Sequence, residues 1–230
     1  MDWPFPARPL VAASINNPDD LRRVASLDWS DPPCDVLEWR LDGLQGVART
    51  DLAAAIAACP LPALLTARRL DEGGFASWPD EATRLTTATA FLAPGRLLDI
   101  EARSLESDAA WRELAAHADD EGVPVVVSWH DFLGLPPEGA VRRAQNAALA
   151  NKASVVKVAA TARTLDDVLS LASVFRLAAP LPVSLMAMGR FGLSSRLLFA
   201  QAGSVLNYGF LFEASVPGQW PARELKRMLG

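Results

Sequence analysis

Short apolar runs alternate with helical patterns from one end of the chain to the other. The apolar runs are rich in β-branched residues, and the segments between them begin with polar residues or proline and repeat apolar positions every three to four residues. Several runs are apolar almost throughout, Val123 to Val127 above all, which is typical of parallel strands buried on both faces. The pattern predicts eight strands: Leu10–Ile15, Cys34–Asp42, Ala63–Arg68, Arg96–Arg103, Pro124–Asp131, Ser154–Thr161, Val183–Met188 and Val205–Leu211.

Eight strand–helix units in 230 residues leave about 29 residues for each unit, close to the minimum for a βαβ repeat. No linker, low-complexity segment or shift in composition interrupts them. The sequence therefore predicts a single α/β domain over residues 1–230, folded as a (β/α)8 TIM barrel. A doubly wound open sheet is the alternative, but it favours a glycine-rich first turn, and the first turn here contains Asn16, Asn17 and Pro18.

Composition and charge narrow the range of partners. Apolar residues make up 50% and charged residues 21%, as in ordinary globular proteins, and the net charge is −5. With no basic excess, we expect neither a nucleic acid nor an acidic membrane surface as partner. No apolar run reaches the roughly 18 residues of a membrane span. The first residues, Met1 to Pro6, lack the basic and apolar regions of a secretory signal, so we expect a cytoplasmic protein.

Metal and disulfide chemistry are not indicated. Two cysteines, Cys34 and Cys59, and two histidines, His117 and His130, are spread along the chain without zinc-ligand spacing. His117 lies in a helical pattern and is expected to be solvated. We therefore predict no metal and no disulfide framework.

Charged residues interrupt the apolar strands near their carboxyl ends, where barrel enzymes carry their sites. At i, i+2 spacing such residues share one face of a strand. The chain places Glu38, Arg40 and Asp42 in the second strand, Arg68 in the third, Asp99 and Glu101 in the fourth, and His130 in the fifth. Paired charges in a barrel can also simply satisfy one another; that alternative stays open for Glu38, Arg40, Asp99 and Glu101.

Lys157 is the most informative of these residues. It lies between valines in the sixth strand, and of 22 basic residues only Lys152, Lys157 and Lys226 are lysines. Burial lowers the pKa of a lysine from roughly 10.4 by several units and so favours the neutral amine that attacks carbonyls. We expect an apolar environment for this amine, with His130 within reach as an acid/base group. A lysine that reaches solvent from a strand end is the alternative.

The segments after the last two strands are candidates for substrate contacts. Gly189 and Gly192 precede a helix with Arg196 near its start, which is a plausible anion site. The polar loop from Ser215 to Gln219 could donate hydrogen bonds to a polyol or could be only a turn.

Taken in order, these segments are similar to the type I 3-dehydroquinate dehydratase family, from the first strand to Gln219. The matching segments are Glu38-Trp39-Arg40-Leu41-Asp42, Arg68 with Glu72-Gly73-Gly74, Asp99-Ile100-Glu101, Ser128-Trp129-His130-Asp131-Phe132, Val156-Lys157-Val158-Ala159, Met188-Gly189 to Ser195-Arg196 with Gly203-Ser204, and Ser215-Val216-Pro217-Gly218-Gln219. The chain departs from the family at Ser154 and near Arg163, and at Tyr208, where the family more often has phenylalanine.

The resemblance implies dehydration of 3-dehydroquinate to 3-dehydroshikimate, a step of the shikimate pathway to aromatic amino acids. Lys157 would form an imine with the substrate ketone, His130 would move protons, and Glu72 would orient His130. Substrate contacts would come from Glu38, Arg40, Arg68, Arg196, Ser215, Gln219, Met188 and Tyr208. The implied protein is a lyase without a cofactor, cytoplasmic and homodimeric, with a small-molecule substrate.

Two other functions remain open on the sequence. A different lysine-imine barrel enzyme, of the aldolase kind, would need a phosphate site after the last two strands. A catalytically silent homologue would bind a metabolite in a retained pocket.

Overall fold

A computed structural model describes residues 8–230; the first residues, which bear on the secretory signal, lie outside it. Eight parallel strands alternate with helices. The strands are β1 Leu10–Ile15, β2 Val36–Arg40, β3 Ala63–Thr66, β4 Arg96–Glu101, β5 Val125–Asp131, β6 Val155–Thr161, β7 Val183–Met188 and β8 Leu206–Phe210. The helices are α1 Pro18–Ala25, α2 Arg49–Ala58, α3 Glu81–Ala90, α4 Ala102–Ser107, α5 Ala109–Asp120, α6 Glu138–Ala150, α7 Leu165–Leu171, α8 Val174–Leu177, α9 Gly192–Gln201 and α10 Ala222–Leu229.

The strand order is that of a barrel. Consecutive strands pair in parallel from β1 to β7, and β8 pairs with β1. The predicted (β/α)8 barrel and all eight predicted strands are confirmed. Several strands are shorter than predicted: β2 ends at Arg40 and β3 at Thr66, so Asp42 and Arg68 lie just beyond their strands.

The seam between β7 and β8 closes through serine hydroxyls. One parallel bridge joins Val183 to Ser204. Beyond it, Leu185 N donates to Ser204 Oγ at 3.0 Å, and the hydroxyl of Ser184 donates to the carbonyl of Leu206. Both serines are fully buried, so their hydroxyls satisfy backbone groups that the sheet leaves open at this seam.

Two apolar layers position the site. Outward side chains pack between barrel and helices, and they include Trp39 and Trp129, as the alternation of the sequence predicts. Inward side chains fill the lower barrel with Leu10, Val36, Leu64, Leu97, Val126, Val155 and Leu206. Two residues further along each of the strands β2 to β6 the inward position becomes polar, because the period of two keeps it on the same face. The charged side chains therefore pack directly against an apolar layer of the barrel interior.

The seam supports a stability prediction. Ser204→Ala removes the acceptor of the buried Leu185 amide, and an unsatisfied buried donor costs about 1–3 kcal/mol. We expect the free energy of unfolding in urea to fall by that amount. Ser194→Ala, which removes an exposed hydroxyl that donates to the Phe191 carbonyl, should change it by about 0.5 kcal/mol or less. Equal effects of the two substitutions would contradict the role given to Ser204.

Candidate active site

A cavity of about 290 Å³ opens at the carboxyl ends of the strands. All eleven side chains that the family resemblance implies for the site line it: Glu38, Arg40, Arg68, Glu72, His130, Lys157, Met188, Arg196, Tyr208, Ser215 and Gln219. The structure thus brings together every residue predicted for the site. Ser14, Phe75, Phe132, Ala159, Met186 and Val216 also line it.

Lys157 projects from the middle of β6 into the barrel and is 3% exposed. Its Nζ lies 3.0 Å from Asp99 Oδ2 and 3.6 Å from Glu38 Oε1, and 4.1 Å from the centre of the Tyr208 ring. The expectation of an apolar environment for this amine is wrong. Two carboxylates and an aromatic face surround it, and each stabilises a positive charge on nitrogen.

Asp99 connects the lysine to a second buried cation. Its other oxygen, Oδ1, accepts hydrogen bonds from Arg68 Nη2 at 2.8 Å and from Ser128 Oγ at 2.6 Å. Burial alone would raise the pKa of Asp99, but the charges of Arg68 and Lys157 outweigh it and lower that pKa to about 2. Asp99 is therefore a fixed anion at neutral pH.

The guanidinium of Arg68 is already engaged within the protein. Besides Asp99, it contacts Ser128 Oγ at 2.6 Å and Glu101 Oε1 at 3.2 Å. Burial opposes its charge, yet the carboxylates of Asp99 and Glu101 prevail and raise the pKa of Arg68 above its usual value. Arg68 therefore holds Asp99 in place, and its predicted contact with substrate hydroxyls stays a prediction.

The network continues out of the barrel to α3. Glu101 Oε2 accepts a hydrogen bond from Arg84 Nη1 at 2.8 Å. Arg84 is 1% exposed, lies over the Trp111 ring and also contacts Glu81. The chain of alternating charges from Lys157 to Glu81 thus spans the barrel wall.

His130 ends its strand beside Glu72. Its Nδ1 lies 3.1 Å from Glu72 Oε2, and its backbone amide donates to the same oxygen at 3.0 Å. Burial raises the pKa of Glu72 to about 7 despite the nearby charge of Arg68. Burial, with added repulsion from Arg68 and Lys157, holds the pKa of His130 well below its usual value. The imidazole is therefore neutral, and it has one nitrogen engaged by Glu72.

A tight turn delivers Glu72 to this position. The 3₁₀ turn Leu70–Glu72 ends at Gly73, whose φ is 83°. A Cβ at Gly73 would lie 2.4 Å from the Phe132 ring. Only glycine fits here, because a side chain would meet both a left-handed backbone and the residue that flanks the cavity.

Arg196 comes from α9 and is 1% exposed. Its Nε donates to the Tyr208 carbonyl at 2.7 Å, and Nη1 donates to the carbonyls of Gly192 and Gly218 at 2.9 and 2.7 Å. Burial lowers the pKa of Arg196 to about 10, so it stays a cation at neutral pH. Nη2 has no hydrogen-bond partner among the described residues, and Arg196 lines the cavity.

Ser215 and Gln219 lie in one polar loop that is held by hydrogen bonds. Gln219 Oε1 accepts the Ser215 amide at 2.8 Å, and Ser215 Oγ accepts from Asn16 Nδ2 at 2.9 Å. Arg40 binds the carboxylate of Asp42 through two nitrogens and lies 4.5 Å from the centre of the Phe75 ring. These contacts hold polar groups at the rim of the cavity.

Hydroxyl groups from two other strands hold the carboxylate of Glu38. Its Oε1 accepts Thr66 Oγ1 at 2.9 Å, and its Oε2 accepts the hydroxyl of Ser14. Neither hydroxyl was predicted. Both lie at inward positions of their strands, so the alternation of apolar and polar residues could have indicated them.

The other histidine and the two cysteines of the sequence lie outside the cavity. His117 is exposed on α5. Cys34 and Cys59 are free thiols. Across residues 8–230, no cluster of three or more His, Cys, Asp or Glu side chains could hold a metal ion, and no helix has the length and apolarity of a membrane span.

A buried amine and an imidazole on one cavity, at the carboxyl ends of eight parallel strands, define an enzyme of the (β/α)8-barrel class. The family model for type I 3-dehydroquinase matches residues 11–230. The chain belongs to the type I 3-dehydroquinase family. The predicted family resemblance and the predicted activity, a hydro-lyase of the 3-dehydroquinate dehydratase kind, are confirmed by this membership.

Relatives match over most of their length. The 3-dehydroquinate dehydratase of Latilactobacillus sakei is 34% identical over 222 residues, which cover 92% of this chain and 89% of that protein. The 3-dehydroquinate dehydratase of Shouchella clausii is 31% identical over 240 residues, which cover 99% of this chain and 93% of that protein. The crystal structure of 3-dehydroquinate dehydratase from Geobacillus kaustophilus superposes with a TM-score of 0.83 at 26% identity, over 96% of this chain and 90% of that one.

The buried ion network supports a second stability prediction. Asp99→Asn leaves Lys157 and Arg68 without the carboxylate between them, and removing one partner of a buried ion pair costs about 3–5 kcal/mol. We expect a loss of that size in the free energy of unfolding at pH 7. Asp71→Asn, which breaks the more exposed pair with Arg69, should cost about 0.5 kcal/mol or less. A small effect at Asp99 would contradict the network.

Proposed function

We propose that this enzyme dehydrates 3-dehydroquinate through an imine formed by Lys157 Nζ, within the shikimate pathway. The placement of Nζ supports this most directly. It is the buried primary amine of the cavity, and the neutral His130 lines the same cavity. Carbonyl chemistry at an amine needs these two groups to converge on one substrate.

The carboxylates around Nζ favour the protonated imine. The ammonium passes a proton to His130, and the resulting amine adds to the carbonyl carbon of the substrate ketone to give a carbinolamine. The imidazolium returns the proton to the carbinolamine hydroxyl, which leaves as water and gives an iminium ion. Ammonium and iminium carry the same charge at nearly the same place. Asp99, at 3.0 Å, and Glu38, at 3.6 Å, therefore stabilise the covalent intermediate without rearrangement.

The iminium ion makes the next proton easy to remove. It accepts the electron pair of the neighbouring C–H bond, so a weak base such as imidazole is sufficient. With Nδ1 held by Glu72, the other ring nitrogen of His130 takes this proton. The imidazolium then protonates the β-hydroxyl, which leaves as water, and hydrolysis of the imine returns Lys157.

Arg196 and the loop from Ser215 to Gln219 supply the substrate contacts in this proposal. The uncommitted Nη2 of Arg196 pairs with the carboxylate of the substrate. Ser215, Gln219 and Arg40, at the rim, contact its hydroxyl groups, together with Glu38 and Arg68. The apolar face of the ring packs on Met188 and Tyr208, which are both buried.

Cytoplasmic location and homodimeric assembly belong to the same proposal. The free thiols of Cys34 and Cys59 are compatible with a reducing compartment, and the net charge of −5 does not favour nucleic acid.

Reductive trapping tests the covalent step. With 3-dehydroquinate and sodium borohydride, mass spectrometry should find one substrate-derived adduct on Lys157, because hydride reduces the iminium to a stable amine. Lys157→Met should give no adduct, whereas Lys152→Met, which changes an exposed lysine paired with Asp119, should give the wild-type adduct. An adduct at any other residue would contradict the mechanism.

In this proposal His130 carries the proton transfers, a role that can be tested separately from imine formation at Lys157. His130→Ala should lower the rate of 3-dehydroshikimate formation, followed by absorbance, by about 10²–10⁴-fold, while borohydride still traps an adduct at Lys157. His117→Ala, at the exposed histidine, should keep the rate within about twofold. Wild-type turnover in His130→Ala would remove this residue from the mechanism.

A further inference from the structure

Arg103 lies against the acid/base pair from outside the barrel. It sits in the first turn of α4, two residues after Glu101, and its guanidinium carbon is 4.3 Å from the centre of the Trp129 ring. Its Nη1 lies 3.6 Å from Glu72 Oε1. The aromatic ring belongs to the residue before His130, so one stack ties the end of β4 to the end of β5.

The two oxygens of Glu72 have different partners. Oε2 receives both contacts from His130. Oε1 is buried and accepts no hydrogen bond from any residue between 8 and 230. A buried carboxylate oxygen without a donor favours protonation of the group unless a positive charge lies nearby. Arg103 supplies such a charge on the side away from the histidine.

We propose that Arg103 is a positioning residue for the dehydration: its guanidinium, held on the Trp129 ring, keeps Glu72 ionised so that Glu72 accepts the proton of His130 Nδ1. This inference rests on the proposed function of His130. An ionised Glu72 leaves the other ring nitrogen of His130 free to accept a proton. A protonated Glu72 would instead donate to Nδ1, and the proton of the imidazole would then block the other nitrogen.

The balance between these forms shifts near neutral pH. Burial raises the pKa of Glu72 to about 7, so a modest change in nearby charge decides its ionisation. The charged groups that face the pair from the surrounding elements are Arg40, Arg68, Glu101, Arg103 and Lys157. Arg40 and Arg103 lie outside the Lys157–Asp99–Arg68–Glu101 network; Arg40 is paired with Asp42, whereas Arg103 contacts Glu72 directly and about a third of its side chain is exposed.

Removal of the Arg103 charge shifts the pKa values of Glu72 and His130 in the same direction. Loss of a nearby positive charge raises the pKa of the Glu72 carboxyl and the pKa of the His130 imidazole alike. In Arg103→Met the acid limb of the kcat/KM–pH profile should therefore move to higher pH. We expect this shift to be roughly 0.5 to 1 pH unit. It lies at or below the low end of the pKa shifts that a charge at this distance produces, because solvent screens a partly exposed side chain.

Two further variants separate this role from a structural one. Arg103→Lys keeps the charge and should return the acid limb to within about 0.3 pH unit of wild type. Arg143→Met removes another charge near the same ring, 5.8 Å from its centre. Arg143 contacts Glu106 rather than Glu72, so this variant should leave the profile unchanged. At high pH, where Glu72 is ionised in every variant, kcat/KM of Arg103→Met should approach wild type.

NMR gives a readout that does not depend on activity. His117 and His130 are the two histidines of the chain, so each ring can be followed separately by its 13Cε1 shift during a pH titration. In Arg103→Met the His130 transition should move upward by a similar amount, and the exposed His117 should not move. An unmoved His130 signal, an unmoved acid limb, or an equal shift in Arg143→Met would each overturn the proposal. If the wild type formed no 3-dehydroshikimate but the His130 shift appeared, only the proposed function would fail.

Discussion

Charge matching inside a water-excluded barrel is the constraint on which this structure depends. Lys157, Arg68 and Arg84 are each nearly inaccessible to solvent, and an isolated buried cation is too costly to persist. Each therefore lies between carboxylates: Asp99 bridges Lys157 and Arg68, and Glu101 bridges Arg68 and Arg84. Each member is shared between two partners, so removing any one of them weakens the pairing of its neighbours, and the position of the amine depends on residues as distant as α3.

The same matching explains how a buried lysine can serve imine chemistry. An apolar pocket would favour the free amine but would oppose the cationic iminium that follows. The pocket found here, with Asp99 and Glu38 beside Nζ, stabilises that iminium before it forms.

The sequence predicts which side chains the strands point into the barrel much better than it predicts the residues that those side chains contact. Alternation along β2, β5 and β6 is enough to place Glu38, His130 and Lys157 on the inner face. It cannot show that Asp99 rather than Glu101 contacts the lysine, because this depends on the stagger between strands. Arg84 and Arg103 lie on helices, and nothing local distinguishes them from solvent-facing arginines. The apolar environment expected for Lys157 was wrong because flanking valines describe the outer face of its strand, not the inner one.

The two halves of the cavity differ in what holds them together. On the side of Lys157 the side chains are coupled by charge across strands, and a neutral replacement disturbs several residues at once. On the side of Arg196 the coupling passes through backbone: its guanidinium joins the carbonyls of Gly192 and Gly218, and a Cβ at Gly192 would lie 2.4 Å from the Gly218 oxygen. The close contact between the start of α9 and the loop at Gly218 therefore requires glycine and fixes where Arg196 lines the cavity. In the proposed mechanism the covalent chemistry thus resides on the strands, whereas recognition of the substrate carboxylate resides where α9 and this loop meet, at a spacing that Arg196 itself maintains.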